Sequence, residues 1–70
     1  MWLNLKGKLI NLDNVQVIEH HYIRAINKTD LHINGIKNRS FQLENNAEAI
    51  SIIARIEEGI KFRDDLVEIE

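Results

Sequence analysis

A chain of seventy residues is long enough for one domain, and the absence of cysteine excludes disulfides, thiolate catalysis and cysteine-based zinc sites. The formal net charge of −2 gives no general reason to expect nucleic acid as a partner. No apolar run approaches the roughly 18 residues that would span a membrane, and the first residues lack the layout of a signal peptide. We therefore expect a cytoplasmic protein with no membrane partner.

The first part of the chain alternates apolar and polar residues with a period of two, which predicts short antiparallel strands. Gly7 lies between the first two strands, which predicts a hairpin, and Asp13-Asn14 predicts the turn that follows the second strand. We place the next turn at residues 27–30. The strands are then predicted at about 2–6, 9–12, 15–27, 30–36 and 39–44.

The sequence allows two alternatives for each of two features in this region, the third strand and the turn after the fourth strand. Val17-Ile18 and Tyr22-Ile23 are adjacent apolar pairs, so either both faces of the third strand are partly covered or a bulge near His20-His21 exchanges them. The turn after the fourth strand lies either at Asn34-Gly35, a strong hairpin dipeptide, or within residues 36–39.

The period then changes from 2 to 3.6, which predicts a helix at about residues 46–58. Asn45 is the expected N-cap, with Glu48 completing a capping-box-like pattern, and Gly59 is expected at the C-terminal end. An apolar stripe predicts that the helix covers one face of the sheet; it contains Ala49, Ile52, Ile53, Ile56 and Ile60. The predicted fold is α+β, an antiparallel meander of four to five strands packed against one helix, with residues 1–60 as a single domain.

Residues 61–70 form an acidic C-terminal segment in which residues 66–69 have strand-like composition. This segment could pair with an edge of its own sheet or with that of a neighbouring molecule. A core of this size contributes about 3–5 kcal/mol of net stability, which favours oligomerisation as additional support. We predict a homodimer and a protein partner of unknown identity, contacted by the charged residues of the segment: Lys61, Arg63, Asp64, Asp65, Glu68 and Glu70.

The remaining chemistry-bearing residues favour no catalytic or metal site. His20 and His21 face opposite sides of a strand, and a tight turn at residues 27–30 would place His32 about 13 Å from His21. The hydroxyl residues lack the glycine-flanked elbow of a catalytic nucleophile, and the three glycines stand alone, so no phosphate loop is present. We therefore expect no enzyme, no cofactor and no metal.

Nucleic-acid binding is the alternative hypothesis, although we do not expect nucleic acid as the main partner. Successive turns of a meander alternate between the two ends of a sheet, so Lys6, Lys8 and Lys28 are predicted to gather at one end. Tyr22 is the predicted base-stacking residue.

The run Ile10-Asn11-Leu12-Asp13-Asn14-Val15, the following hairpin and Phe41-Gln42-Leu43-Glu44 before Glu48-Ala49 resemble short orphan proteins of bacterial and phage genomes. These proteins have four or five strands and a terminal helix, and the resemblance covers about residues 9–60. It implies a non-enzymatic interaction module or a small regulator or inhibitor, encoded by a phage or mobile element. It implies no catalytic residues.

Overall fold

The computed structural model describes residues 1–69 and confirms the α+β class. Within these residues it contains one helix, α1 (Asn46–Lys61), and a 3-10 turn at Leu12–Asn14. The six strands are β1 (Trp2–Leu5), β2 (Lys8–Asn11), β3 (Val15–Ile23), β4 (Lys28–Gly35), β5 (Asn38–Leu43) and β6 (Leu66–Ile69).

The strands form two three-stranded sheets rather than one continuous meander. The first sheet has the order β2-β1-β6 and the second has the order β3-β4-β5. They separate at the 3-10 turn, where the Asn11 side chain accepts a hydrogen bond of 3.0 Å from the Asp13 backbone N–H and the chain leaves β2. The predicted C-terminal strand is present as β6, and it pairs parallel to β1 of its own chain.

The first and last hairpin turns agree with the sequence patterns. Lys6 and Gly7 both have positive φ, 50° and 82°, as a two-residue hairpin loop between β1 and β2 requires. Of the two alternatives for the last turn, the one within residues 36–39 is confirmed, because Asn34 pairs with Asn38. Gly35 instead remains extended and pairs with Val15.

The predicted turn at residues 27–30 is wrong, because the loop lies three residues earlier. Ile23 pairs with Lys28, so residues 24–27 form the connection, and Asn27 takes the positive φ of 53° at its end. The Tyr22 hydroxyl donates a hydrogen bond of 2.6 Å to the Asn27 side chain and helps to hold this geometry. The shift changes every cross-strand neighbour that the tight turn had predicted.

The irregularity in β3 also differs from the predicted bulge at His20-His21. The register shifts between Val15 and Val17, and from Val17 onward the strand alternates regularly. Ile18 and Ile23 are both half-buried although they point to opposite faces. The adjacent apolar pairs therefore reflect a strand that is partly covered on both faces, which was the other alternative.

One hydrophobic core joins the two sheets and the helix. Helix α1 begins as predicted, because the Asn45 side chain accepts a hydrogen bond of 2.9 Å from the Glu48 backbone N–H. It ends three residues later than predicted, because Gly59 lies inside it and is buried. The core residues are Leu3, Leu5, Ile10, Leu31, Ile33, Phe41, Leu43, Ala49, Ile52, Ile56 and Val67, whereas Ile60 is exposed.

The helix ends in a Schellman motif that leads directly into β6. The Asp64 backbone N–H donates to the Gly59 carbonyl at 2.9 Å, and the Arg63 N–H donates to the Ile60 carbonyl at 3.2 Å. Arg63 occupies the left-handed position with a φ of 55°. The turn brings Val67 against the helix at Gly59, so the predicted C-terminal segment contributes a side chain to the core.

Candidate protein-interaction surface

The exposed side of the first sheet carries three large apolar side chains, one on each strand, which form an oblique row. Leu3, which is fully buried, alternates with Trp2, so Trp2 points away from the core. Trp2 lies opposite Leu66 in the register of β1 and β6, and Leu9 lies opposite Asn4 on β2, diagonally from Trp2. We call this surface the outer face; it consists of Trp2, Asn4, Leu9, Asn11, Leu66 and Glu68.

The apolar residues of the outer face are substantially exposed. Trp2 and Leu66 each retain 45% of their accessible surface and Leu9 retains 59%. Single exposed apolar residues are normal on proteins, but adjacent ones on three strands form a patch of the kind that marks interaction sites. The sequence contains a signal for this patch, because each strand of the first sheet has two apolar residues in succession: Trp2-Leu3, Leu9-Ile10 and Leu66-Val67.

Beside this face, β6 has one unpaired edge within residues 1–69. The carbonyls of Asp65 and Ile69 accept hydrogen bonds from the N–H groups of Trp2 and Lys6, at 2.8 and 3.0 Å. Because alternate residues of a strand point their backbone polar groups to the same side, those of Leu66 and Glu68 point to the unpaired side. These are the groups to which an additional strand could bind.

The predicted partner-binding residues that the structure describes lie at the end of α1, in the connection to β6 and on β6 itself. Glu68 belongs to the outer face, opposite Asn4. Asp64 and Asp65 connect the helix to the strand and are exposed. Arg63 is also exposed, and Lys61 lies with its ammonium 5.7 Å from the centre of the Phe62 ring. Glu70 lies outside the described residues.

The lysines of the nucleic-acid hypothesis all contact the same part of the chain, residues 41–48. Lys6 Nζ lies 3.0 Å from a carboxylate oxygen of Glu48, and Lys28 Nζ lies 2.5 Å from one of Glu44. Lys8 lies over the ring of Phe41, with its ammonium 5.6 Å from the ring centre. The predicted gathering at one end of a single sheet does not apply, because the three lysines belong to two sheets, and carboxylates pair with two of them.

Glu48 is the residue whose ionisation is most clearly affected. The hydrogen bond from Lys6 is the main reason that the pKa of Glu48 lies below its ordinary value of 4.5. The backbone N–H of Glu44, which donates to the same carboxylate at 3.1 Å, lowers it further. Glu48 thus connects the first hairpin to the start of α1. Tyr22, the predicted base-stacking residue, donates a hydrogen bond from its hydroxyl to the Asn27 side chain.

The predicted separation of His21 and His32 is wrong. Because the turn lies at residues 24–27, Glu19 is opposite His32 and His21 is opposite Asp30. The two imidazole rings lie edge to face with their centres 5.2 Å apart, and His21 Nε2 is 3.2 Å from a Glu19 carboxylate oxygen. Even so, no group of three or more residues in the described part of the chain has the geometry to hold a metal ion.

Comparison with protein families, with curated proteins and with solved structures finds no match to this chain. Among residues 1–69, no helix is long and apolar enough to cross a membrane. The candidate surface therefore has to be interpreted from its own chemistry.

Proposed function

We propose that this protein is a non-enzymatic interaction module, a small regulator or inhibitor that binds a larger protein through the outer face. The observation that carries this proposal is the row of Leu9, Trp2 and Leu66 on three neighbouring strands. Burying such side chains contributes about 1.5–3 kcal/mol each, and tryptophan is enriched among residues that dominate binding energy. A rigid sheet also presents them at little cost in conformational entropy.

The charged residues of the C-terminal segment supply the polar surroundings of this apolar row. Glu68 flanks Leu66 on the strand, and Asp64 and Asp65 precede it. Protein interfaces combine an apolar centre with a polar rim, and charges at the rim influence association rate and partner choice more than affinity. The segment predicted from the sequence is therefore part of the proposed interface, and its apolar neighbours provide most of the binding energy.

Affinity capture from a lysate of the source organism, with and without nuclease treatment, tests the proposal. Leu66→Lys and Leu9→Lys should each abolish capture of a nuclease-resistant protein partner, because each puts a charge in the apolar row. Ile50→Lys is the matched control, since Ile50 is 57% exposed on the helix and outside the outer face. Equal capture by all three variants would contradict the proposal, and partners lost on nuclease treatment would support nucleic-acid binding instead.

The proposed homodimer would form by antiparallel pairing of β6 with β6 of a second copy. A twofold axis at Val67 places Leu66 opposite Glu68 of the second copy and lets the free backbone groups of both residues pair. An axis at Glu68 would place Glu68 opposite Glu68, and an axis at Leu66 would place Glu68 opposite Asp64; like charges directly opposite are destabilising in both registers. Such a dimer has both outer faces on the same side, so the interface with a larger partner is doubled rather than blocked.

A proline substitution separates edge pairing from other modes of association. Glu68→Pro removes an N–H that points to the unpaired side and leaves the bonds of β6 to β1 in place. The native mass should fall from dimer to monomer in this variant and stay unchanged in Glu68→Ala. A monomeric mass for the unmodified chain would contradict the homodimer without affecting the outer face.

A further inference from the structure

The outer face continues into a pocket of about 220 Å³ at the junction of the two sheets. Trp2 and Leu9 form its side on the first sheet, and Ile36, Lys37 and Arg39 form its side on the second sheet. Ile10 and Ile33, both almost fully buried, are also in its lining. We call this cavity the seam pocket. The apolar residues at its mouth, Trp2, Leu9 and Ile36, are exposed, and Ile36 retains 80% of its accessible surface.

The charges around the seam pocket are of one sign. Lys37 and Arg39 line it, and no carboxylate of residues 1–69 does. Within residues 1–69 the ion pairs involve other cations: the N-terminus, Lys6, His21, Lys28 and Arg55. In a chain with a net charge of −2, these two cations beside an apolar cavity thus have no ion-pair partner in the part of the chain that the structure describes. This combination is complementary to an anionic group attached to an apolar body.

We infer that the seam pocket binds an acidic peptide segment of the partner protein, with a large apolar side chain in the cavity and an adjacent carboxylate on Lys37 and Arg39. The inference rests on the proposed function and specifies the chemistry of its partner. The volume is below the range of about 300–1,000 Å³ that is typical of small-molecule sites, and it suits a single anchoring side chain. Continuity with the outer face lets one partner occupy both surfaces.

Two observations favour a peptide over a nucleic acid in this pocket. Most of the apolar lining is aliphatic, and Trp2 is its one aromatic ring, whereas single-stranded nucleic acids require several stacking residues along a basic groove. Only two cations are present, which is few for a ligand with a phosphate on every nucleotide. An aliphatic cavity with two cations at its rim matches an Asp or Glu next to Leu, Ile or Phe.

Selection from a displayed random peptide library tests this inference on the full chain. The selected peptides should contain an acidic residue next to a large apolar one. A synthetic peptide of the selected sequence should alter the fluorescence of Trp2, which is the only tryptophan and lies in the pocket. Its affinity should fall at least about tenfold in Lys37→Glu and decrease as salt is raised.

Control variants separate the pocket from general electrostatics and from loss of folding. Arg24→Glu makes the same change of charge outside the pocket and should leave peptide affinity unchanged. Arg39→Gln removes the half-buried cation without reversing its charge and should also weaken binding. Circular dichroism of each variant establishes that it is folded before affinities are compared.

The inference is overturned if no peptides are enriched, if the enriched peptides are basic or purely apolar, or if Lys37→Glu and Arg24→Glu bind equally well. It is also overturned if a single-stranded oligothymidylate or inorganic phosphate changes Trp2 fluorescence at lower concentration than the peptide. Failure of the proposed function has a different signature, which is equal partner capture by Leu9→Lys, Leu66→Lys and Ile50→Lys. If Leu66→Lys abolishes partner capture and Lys37→Glu does not, the outer face remains the interface and only the seam pocket is wrongly assigned.

Discussion

Replacing Gly59 by alanine is expected to destabilise this protein, although alanine is the better helix former. A Cβ at this position would lie 2.4 Å from Cγ2 of Val67 and 3.0 Å from Cε of Met1. The methionine methyl is the end of a flexible side chain and can move. Val67 is β-branched and 2% exposed, so its methyl group has few alternative positions.

The magnitudes decide the sign of this effect. Glycine to alanine within a helix gains about 1 kcal/mol of unfolding free energy. Forcing an additional methyl group into a packed core costs about 1–3 kcal/mol. The steric cost exceeds the gain because β6 must move away from the helix, so we expect a net loss of up to about 2 kcal/mol, a large part of the stability of a domain this small.

A double-mutant cycle with Val67→Ala gives the sharpest test, measured by urea unfolding followed by circular dichroism. Val67→Ala alone should cost about 2 kcal/mol, for two buried methyl groups and the space they leave. In that background the clash is gone, so Gly59→Ala should become stabilising by about 1 kcal/mol. The reasoning is refuted if Gly59→Ala stabilises the unmodified chain, or if its effect is the same in both backgrounds.

Three further substitutions have expected outcomes in the same unfolding assay. Gly35→Ala should cost about 3 kcal/mol, because its Cβ would clash with the backbone carbonyl of Asn14. Glu48→Gln should be less stable than the unmodified chain above pH 4.5, and this difference should vanish as the pH falls through the folded-state pKa, because the folded pKa lies below the unfolded one. Arg63→Gly should stabilise by about 1 kcal/mol, since glycine adopts the φ of 55° without strain.

Each of these predictions has a control. Gly7→Ala should cost only about 1 kcal/mol, because Gly7 has positive φ but nothing within 4 Å, so an equal loss would argue against the contact at Gly35. A difference for Glu48→Gln that persists or grows on acidification would contradict the lowered pKa. Arg63→Ala retains the left-handed strain, and a gain equal to that of glycine would exclude strain as the cause.

The helix was predictable from the sequence because its signals are local. Asn45 and Glu48 are three residues apart, and the apolar stripe has one period throughout. Its end was not predictable in the same way, because glycine near a helix terminus usually marks the cap. At Gly59 the cause is tertiary instead: the helix approaches β6 so closely that no side chain fits.

The candidate surface depended on information that is not local. The alternation of Trp2 with Leu3 and of Leu66 with Val67 assigns faces within each strand, but only the parallel pairing of β1 and β6 makes Trp2 and Leu66 neighbours. The charged residues of the C-terminal segment were recognisable by composition, and the apolar residues between them were not recognised as exposed. The position of the β3–β4 loop also decides which residues are neighbours, since its shift of three residues from the predicted position brought His21 next to His32.

Site-specific photo-cross-linking tests the central claim, that the outer face binds protein, most directly. A benzophenone amino acid would replace Leu9, which is 59% exposed at the centre of β2, and Ile50 on the helix in a parallel variant. Irradiation in a lysate of the source organism should yield a discrete protein adduct from position 9 and none from position 50. Adducts from position 50 alone, or none from position 9, would contradict the assignment of the outer face as the interface.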